Sequence, residues 1–202
     1  MGTRTFTTRL TTPNPYRNAV LMKKLILLTS FLCFLNVTYG QKNKTDTTLS
    51  SLAKIDLGLQ GIGFTYEARI SNHLTTDLSA GIGGGYNIAE GSIEYELLKP
   101  ALYVSVTPKY FYNLDKRLAR GKTLLYNSGN YIGARFTFNT PVGEKTDIIR
   151  NSFLANIHWG IQRAIGGHWL FNSHIGVGYA QDIDYNFGTI YPALDLKFSY
   201  VF

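Results

Sequence analysis

The residues whose types and spacing could do chemistry in this 202-residue chain are two histidines and a carboxylate. His158 shares its parity with Asn156, Gly160 and Gln162. His174 shares its own with Asn172, Gly176 and Gly178, so each falls on the polar face of an alternating segment. A turn at Gly166-Gly167 sets the two opposite or diagonal, and Asp195 on the last segment should neighbour His174. A His–His–Asp group can bind metal or relay protons. The plainer alternative is a buried hydrogen-bond network. Asp182, Asp184 and Asn186 place oxygen ligands at alternate positions, as at the start of a calcium loop. The glycine is displaced to Gly188 and position twelve is Ala193, so an ordinary polar loop competes, and no metal or other cofactor is assigned.

A third set is ionic. Asp56, Glu67, Arg69, Asp77, Lys109, Arg135, Asp195 and Lys197 all fall on polar faces, four acidic and four basic. A turn centred on Asn72 sets Glu67 opposite Asp77 with Arg69 one step away, and a loop centred near Ile93 brings Lys109 opposite Asp77. Glu67, Arg69, Asp77 and Lys109 should form one buried network, with Asp195 and Lys197 beside Asp56.

The elements that must position these groups are strands. In the last stretch Leu194, Leu196, Phe198, Tyr200 and Phe202 alternate with Asp195, Lys197 and Ser199, a period of two. Alternation of this kind recurs over 54–60, 62–70, 74–86, 101–113, 130–139, 153–164, 168–180 and 190–202, which predicts eight strands. Between Leu59 and Ile62 the apolar parity flips, and Gly61 and Gly63 mark the place; two strands with a tight turn or one bulged strand satisfies the flip. Residues 71–73 and 166–167 read as tight turns, and 87–99, 140–152 and 181–189 as long loops. Residues 114–128 read as a basic connection carrying Lys116, Arg117, Arg120 and Lys122, with room for a helical turn.

Residues 22–40 read as a secretory signal peptide: Lys23 and Lys24, an apolar run from Leu25 to Leu35, then Thr38 and Gly40 before a cleavage preceding Gln41. Residues 1–21 read as an upstream extension outside the true protein, or as an unusually long n-region of the signal, and 41–53 as a mobile polar lead-in. The formal charge of +7 is misleading, because five basic residues precede Gln41 and leave 15 basic against 13 acidic groups after it. That near-neutral balance gives no reason to propose nucleic acid as a partner. Cys33 lies inside the signal, so the mature chain has no disulfide framework.

The terminal strand, with Phe198, Tyr200 and a final Phe202, resembles the closing strand of bacterial outer-membrane β-barrels, where it serves as the assembly signal. In scale and plan residues 54–202 resemble the small OmpA/OmpX-type barrels: an all-β, eight-stranded antiparallel up-and-down transmembrane β-barrel. Aromatics on the apolar face, Tyr110, Tyr112, Trp169, Phe171, Tyr200 and Phe202 at one rim and Phe138, Phe153, Tyr179 and Tyr191 at the other, match two interfacial belts. A soluble lipocalin-like barrel has the same period with the apolar face inward. The signal peptide and the resemblance imply export to a Gram-negative outer membrane, a monomer, and contact with lipopolysaccharide and the barrel-assembly machinery. The class holds structural links, adhesins and a few lipid-modifying enzymes, and the expectation here is a non-enzymatic structural or surface role. An acidic rim of Glu90, Glu94, Glu96, Glu144, Asp147, Asp182 and Asp184, against Lys99, Lys145 and Arg150, could meet lipopolysaccharide through divalent cations. A small pore or a lipid-A-modifying enzyme is the alternative. Lipid-A deacylases on this fold carry His and Ser on the outer wall, whereas both histidines here face inward and only Ser173 lies nearby on the lipid side.

Overall fold

The structure, a computed structural model, describes residues 47–89, 91–143 and 150–202. The upstream extension, the signal peptide, the cleavage before Gln41 and the loop residues Glu90, Glu144, Lys145 and Asp147 lie outside the described residues.

The alternating segments form β1 (Leu52–Gly58), β2 (Gly61–Arg69), β3 (Leu74–Ala89), β4 (Ser92–Phe111), β5 (Gly129–Pro141), β6 (Ser152–Gly166), β7 (Trp169–Asp182) and β8 (Gly188–Val201). Each pairs antiparallel with its sequence neighbours, and β1 pairs with β8, so the sheet closes into an up-and-down barrel. The parity flip resolves into two strands: Gly58 pairs with Gly61 across Leu59-Gln60. Gly61 has a φ of 120°, which L side chains rarely adopt, and a Cβ there would collide with the backbone of Ile82.

The apolar parity faces outward. Ile157 is 66% exposed and Leu194 61%, while Glu67 is fully buried and Lys109 nearly so. A continuous apolar exterior around a polar interior is the arrangement of a transmembrane barrel, the reverse of a soluble ligand-carrying one. Tyr110, Tyr112, Trp169, Tyr200 and Phe202 are exposed towards the end that carries the cap described below, and Phe138, Phe153 and Tyr179 towards the other. Tyr191 departs from the expected belt. It shares the parity of Asp195, turns inward, and its hydroxyl accepts a hydrogen bond from Asn156 Nδ2 at 3.1 Å.

Three connections differ from the sequence reading. Residues 87–99 are no loop: β3 and β4 run on as a long hairpin arm. Gly84 pairs with Pro100 but Gly85 pairs with Glu96, so Leu97, Leu98 and Lys99 bulge out of β4. The buried Ile88 of this arm packs with Leu154 of β6 and Ala180 of β7, strands on the far side, so the arm crosses that mouth of the barrel.

Residues 114–128 fold into a cap over the opposite mouth, with a helix α1 (Leu114–Leu118) and a 3-10 turn (Leu125–Asn127). Leu114 and Leu124 are buried against Phe111 and Tyr131. Asn127, at φ 56°, lies in the left-handed region that Asn tolerates best among non-glycine residues. Its side chain accepts from Ser50 N–H and donates to Ser50 C=O, both at 2.8 Å. The described end of the lead-in is therefore tied down, with Leu49 buried under the cap and β1 beginning at Leu52. Outside the strands, burial pushes the pKa of Arg117 below the ordinary arginine value, and its Nη2 donates to Thr123 C=O at 3.0 Å.

The third is the β7–β8 connection, which shortens from the expected 181–189 to residues 183–187 because both strands run further. Asp182 N–H donates to Phe187 C=O at 2.8 Å.

Candidate functional site

The polar faces meet in the middle of the barrel. Lys54 Nζ lies 2.7 Å from Glu67 Oε2 and 3.5 Å from Asp77 Oδ2. Lys109 Nζ lies 2.8 Å from both Glu67 Oε1 and Asp77 Oδ1. Two ammonium groups and two carboxylates thus form one closed ring of ion pairs. Thr75 Oγ1 donates to Glu67 Oε1 at 2.9 Å, and Gln162 Nε2 donates to Glu67 Oε2 at 3.1 Å and to Tyr126 C=O of the cap at 2.9 Å. Lys109 Nζ also donates to Gln162 Oε1 at 3.0 Å. Each ammonium faces carboxylates and each carboxylate ammonium groups, and Glu67 and Lys109 also have neutral partners, the condition under which buried ions are tolerated, while Asp77 Oδ1 has only its ion pair and no hydrogen-bond partner among the described residues.

Position along the strand corrects the expected network. Glu67 does pair with Asp77, but Asp77 pairs with Thr107, and Lys109 with Thr75. The observed β3–β4 register thus lies two residues, one inward rung, from the expected one, and Lys109 reaches Asp77 diagonally. Arg69 is not in the ring. Its parity is inward, but it is the last residue of β2, exposed at the rim, where Nη2 donates to Asn72 Oδ1 at 2.8 Å. Lys54 takes that place. The sequence carried its signal, since Lys54 shares the parity of Asp56, yet it stood at the margin of a strand expected to begin there.

Two further pairs lie beyond the ring. Lys197 Nζ is 3.0 Å from Asp56 Oδ2, and Asp56 also accepts from Ser199 Oγ at 2.5 Å and Thr65 Oγ1 at 2.7 Å. Asp195 does not join Asp56. It crosses the lumen to Arg135, whose Nη1 donates to Oδ2 at 2.8 Å. Asp195 sits opposite His174 on β7, which directs it towards the β5 side of the interior.

His158 and His174 stack with ring centroids 3.9 Å apart. His158 Nδ1 contacts Asn156 Oδ1 at 2.7 Å, while His158 Nε2, His174 Nδ1 and Asp195 Oδ1 have no hydrogen-bond partner among the described residues. No group of three or more His, Cys, Asp or Glu among the described residues converges as a metal site. The Asp182 carboxylate accepts from the N–H groups of Asp184 at 2.8 Å and Tyr185 at 3.0 Å and from Arg150 Nη1 at 3.1 Å. Asn186 Oδ1 accepts from Gln181 Nε2 at 2.6 Å. These oxygens are engaged by protein donors, from the connection itself, from Gln181 and from Arg150. On β7 Ser173 and His174 are adjacent and point to opposite faces, which puts the Ser173 hydroxyl on the other side of the sheet from the His174 ring.

Lumenal glycines make room for large rings. A Cβ at Gly160 would collide with the Tyr131 ring, and one at Gly63 or Gly81 with the Tyr103 hydroxyl. Tyr131 is 1% exposed and donates to Asn172 Oδ1 at 2.9 Å, so these rings occupy the lumen beside the ion pairs.

No protein-family profile and no curated protein sequence matches the chain. Among solved structures the chain is similar to the solid-state NMR structure of the outer membrane protein AlkL in DMPC lipid bilayers, with 13% identity, coverage of 81% of this chain and 95% of that one, and a TM-score of 0.35. At that level the barrel assignment rests on the strand order itself.

Proposed function

We propose that this chain is a non-enzymatic outer-membrane barrel with a closed, charge-balanced lumen, acting as a structural or surface-interaction element. The observation that carries the reading is the ring of Lys54, Glu67, Lys109 and Asp77, with Gln162 linking it to the cap. A pore needs a continuous wet path and more commonly shows one sign of charge along it. Here the interior is crossed by paired charges of both signs, one mouth is covered by the cap and the other is crossed by the arm. In this reading the apolar exterior meets lipid and lipopolysaccharide, and the Phe198, Tyr200 and Phe202 end of β8 is what the assembly machinery recognises. The arm and the β7–β8 turn face outside, and the protein works as a monomer after Sec-type export.

Cell fractionation with gel analysis tests this. The protein should co-purify with the outer membrane and migrate faster unboiled than boiled, since a closed barrel holds its shape in detergent until heated. Release as a soluble species by mild treatment would overturn it. A deletion strain with an altered lipid-A acyl pattern would replace the non-enzymatic role with the enzymatic one.

A further inference from the structure

A cleft of about 650 Å³ lies between the ionic ring and the arm, within the range of small-molecule sites. Its walls are mostly apolar, with Leu154, Ala193 and the arm's Ile93 and Tyr95 among them, and its floor is polar: Arg135, His174 and Asp195. Asp195 Oδ1 and His174 Nδ1, on side chains no more than 5% exposed, carry no hydrogen-bond partner among the described residues. Buried polar atoms of this kind normally have partners.

The cleft also reaches the lipid side. Leu59, Leu97 and Leu194 line it and are 54, 68 and 61% exposed on the outer wall. It passes through a notch in the sheet, because β1 is short. Pairing of β1 with β8 stops at Gly58 with Lys197, followed by Leu59 N–H donating to Leu196 C=O at 3.1 Å. Residues 188–195 of β8 continue without a strand on that side. Even-numbered residues of β8 direct their backbone groups towards β1, and the third such residue beyond the last pair, after Leu196 and Leu194, is Pro192, which has no N–H to leave unsatisfied. The sequence is thus adapted to an open edge at this point.

We propose that this cleft binds a single-chain amphiphile with an uncharged hydroxyl head, admitted from the membrane past Leu59 and Leu194. The apolar walls accept the chain. The head reaches the floor, where a hydroxyl can donate to Asp195 Oδ1 and accept from His174 Nδ1–H. Arg135 is already neutralised by Asp195 Oδ2 at 2.8 Å, so the floor holds no unmatched cation to draw an anionic head, and a carboxylate would sit against Asp195. The inference goes beyond the closed-lumen reading and needs only the barrel in a membrane.

The full-length mature protein in phosphatidylcholine nanodiscs, labelled with nitrogen-15 histidine, is titrated with 1-dodecanol. The His174 ring signals, identified by their loss in His174→Gln, should shift and saturate at one alcohol per barrel. Dodecanoate should bind about tenfold or more weakly, because its head meets the Asp195 carboxylate. Ala193→Phe, which fills the cleft, should abolish the shift while keeping the fast unboiled gel migration that reports a folded barrel. No saturable shift, or an equal shift in folded Ala193→Phe, overturns the site. Equal binding of dodecanoate overturns the head assignment. Absence of binding with silent planar bilayers would remove the cleft and leave the closed lumen standing.

Discussion

Glu67 of β2 and Lys109 of β4 approach to 2.8 Å although β3 lies between their strands. Their side chains reach over Thr75 and Asp77, and the same carboxylate is held by Lys54 at 2.7 Å from the other side. A contact that skips a strand ties three strands together through the interior. It exists because the wall of a narrow barrel curves so tightly that long inward side chains two strands apart converge.

Breaking this ring by one member leaves a buried charge without its partner. Lys109→Met should destabilise the barrel by about 3–5 kcal/mol, and Lys54→Met by a similar amount. Asp77→Ala should also lower the unfolding temperature, and adding Lys109→Ala should recover part of that loss. Urea unfolding in lipid vesicles measures all four. Additive losses in the double variant would show that Asp77 and Lys109 do not act on each other.

Arg69 provides the contrast. It shares the inward parity of Glu67 but is exposed at the rim, bonded to Asn72. Arg69→Ala should change stability by no more than about 0.5 kcal/mol. A loss as large as that of Lys54→Met would place Arg69 in the ring after all.

Gly160 tests how tightly the lumen is filled. Gly160→Ala drives a Cβ into the Tyr131 ring, which Asn172 and Phe111 hold in place, so it should cost roughly 1–3 kcal/mol. Combining it with Tyr131→Leu should cost less than the sum of the two single changes. Unfolding midpoints of the three variants decide this.

The Asp182 turn should be stabilised by its own hydrogen bonds. Asp182→Ala removes the acceptor for Asp184 and Tyr185 N–H and for Arg150, and should cost about 1–2 kcal/mol. The wild-type midpoint should be the same with calcium and with a chelator. A calcium-dependent rise would make this turn a cation site.

Strand existence was legible because the period of two survives wherever one face meets lipid and the other the lumen. The Glu67–Asp77 register was legible too, since the tight turn at Ser71-Asn72-His73 leaves no room for a slip. Depth was not. Parity put Arg69 and Lys54 on the same face but could not say that one reaches the rim and the other the centre. The arm was hidden by its own bulge, because three unpaired residues, Leu97, Leu98 and Lys99, break the alternation that would have revealed it. The cap was hidden because Leu114 and Leu124 meet Leu49 and Phe111 only after the barrel closes. Contacts of such long sequence separation leave no local period. Tyr191 was misplaced by its residue type, although its odd number, matching Asp195, already pointed inward.

The central claim is that the lumen is closed, and single-channel recording tests it most directly. Purified protein added to planar bilayers should give no stable conductance steps, because in the proposed reading the ring, the cap and the arm interrupt the water path. Large, reproducible steps from folded wild-type protein would contradict the closed lumen and make a pore the better account.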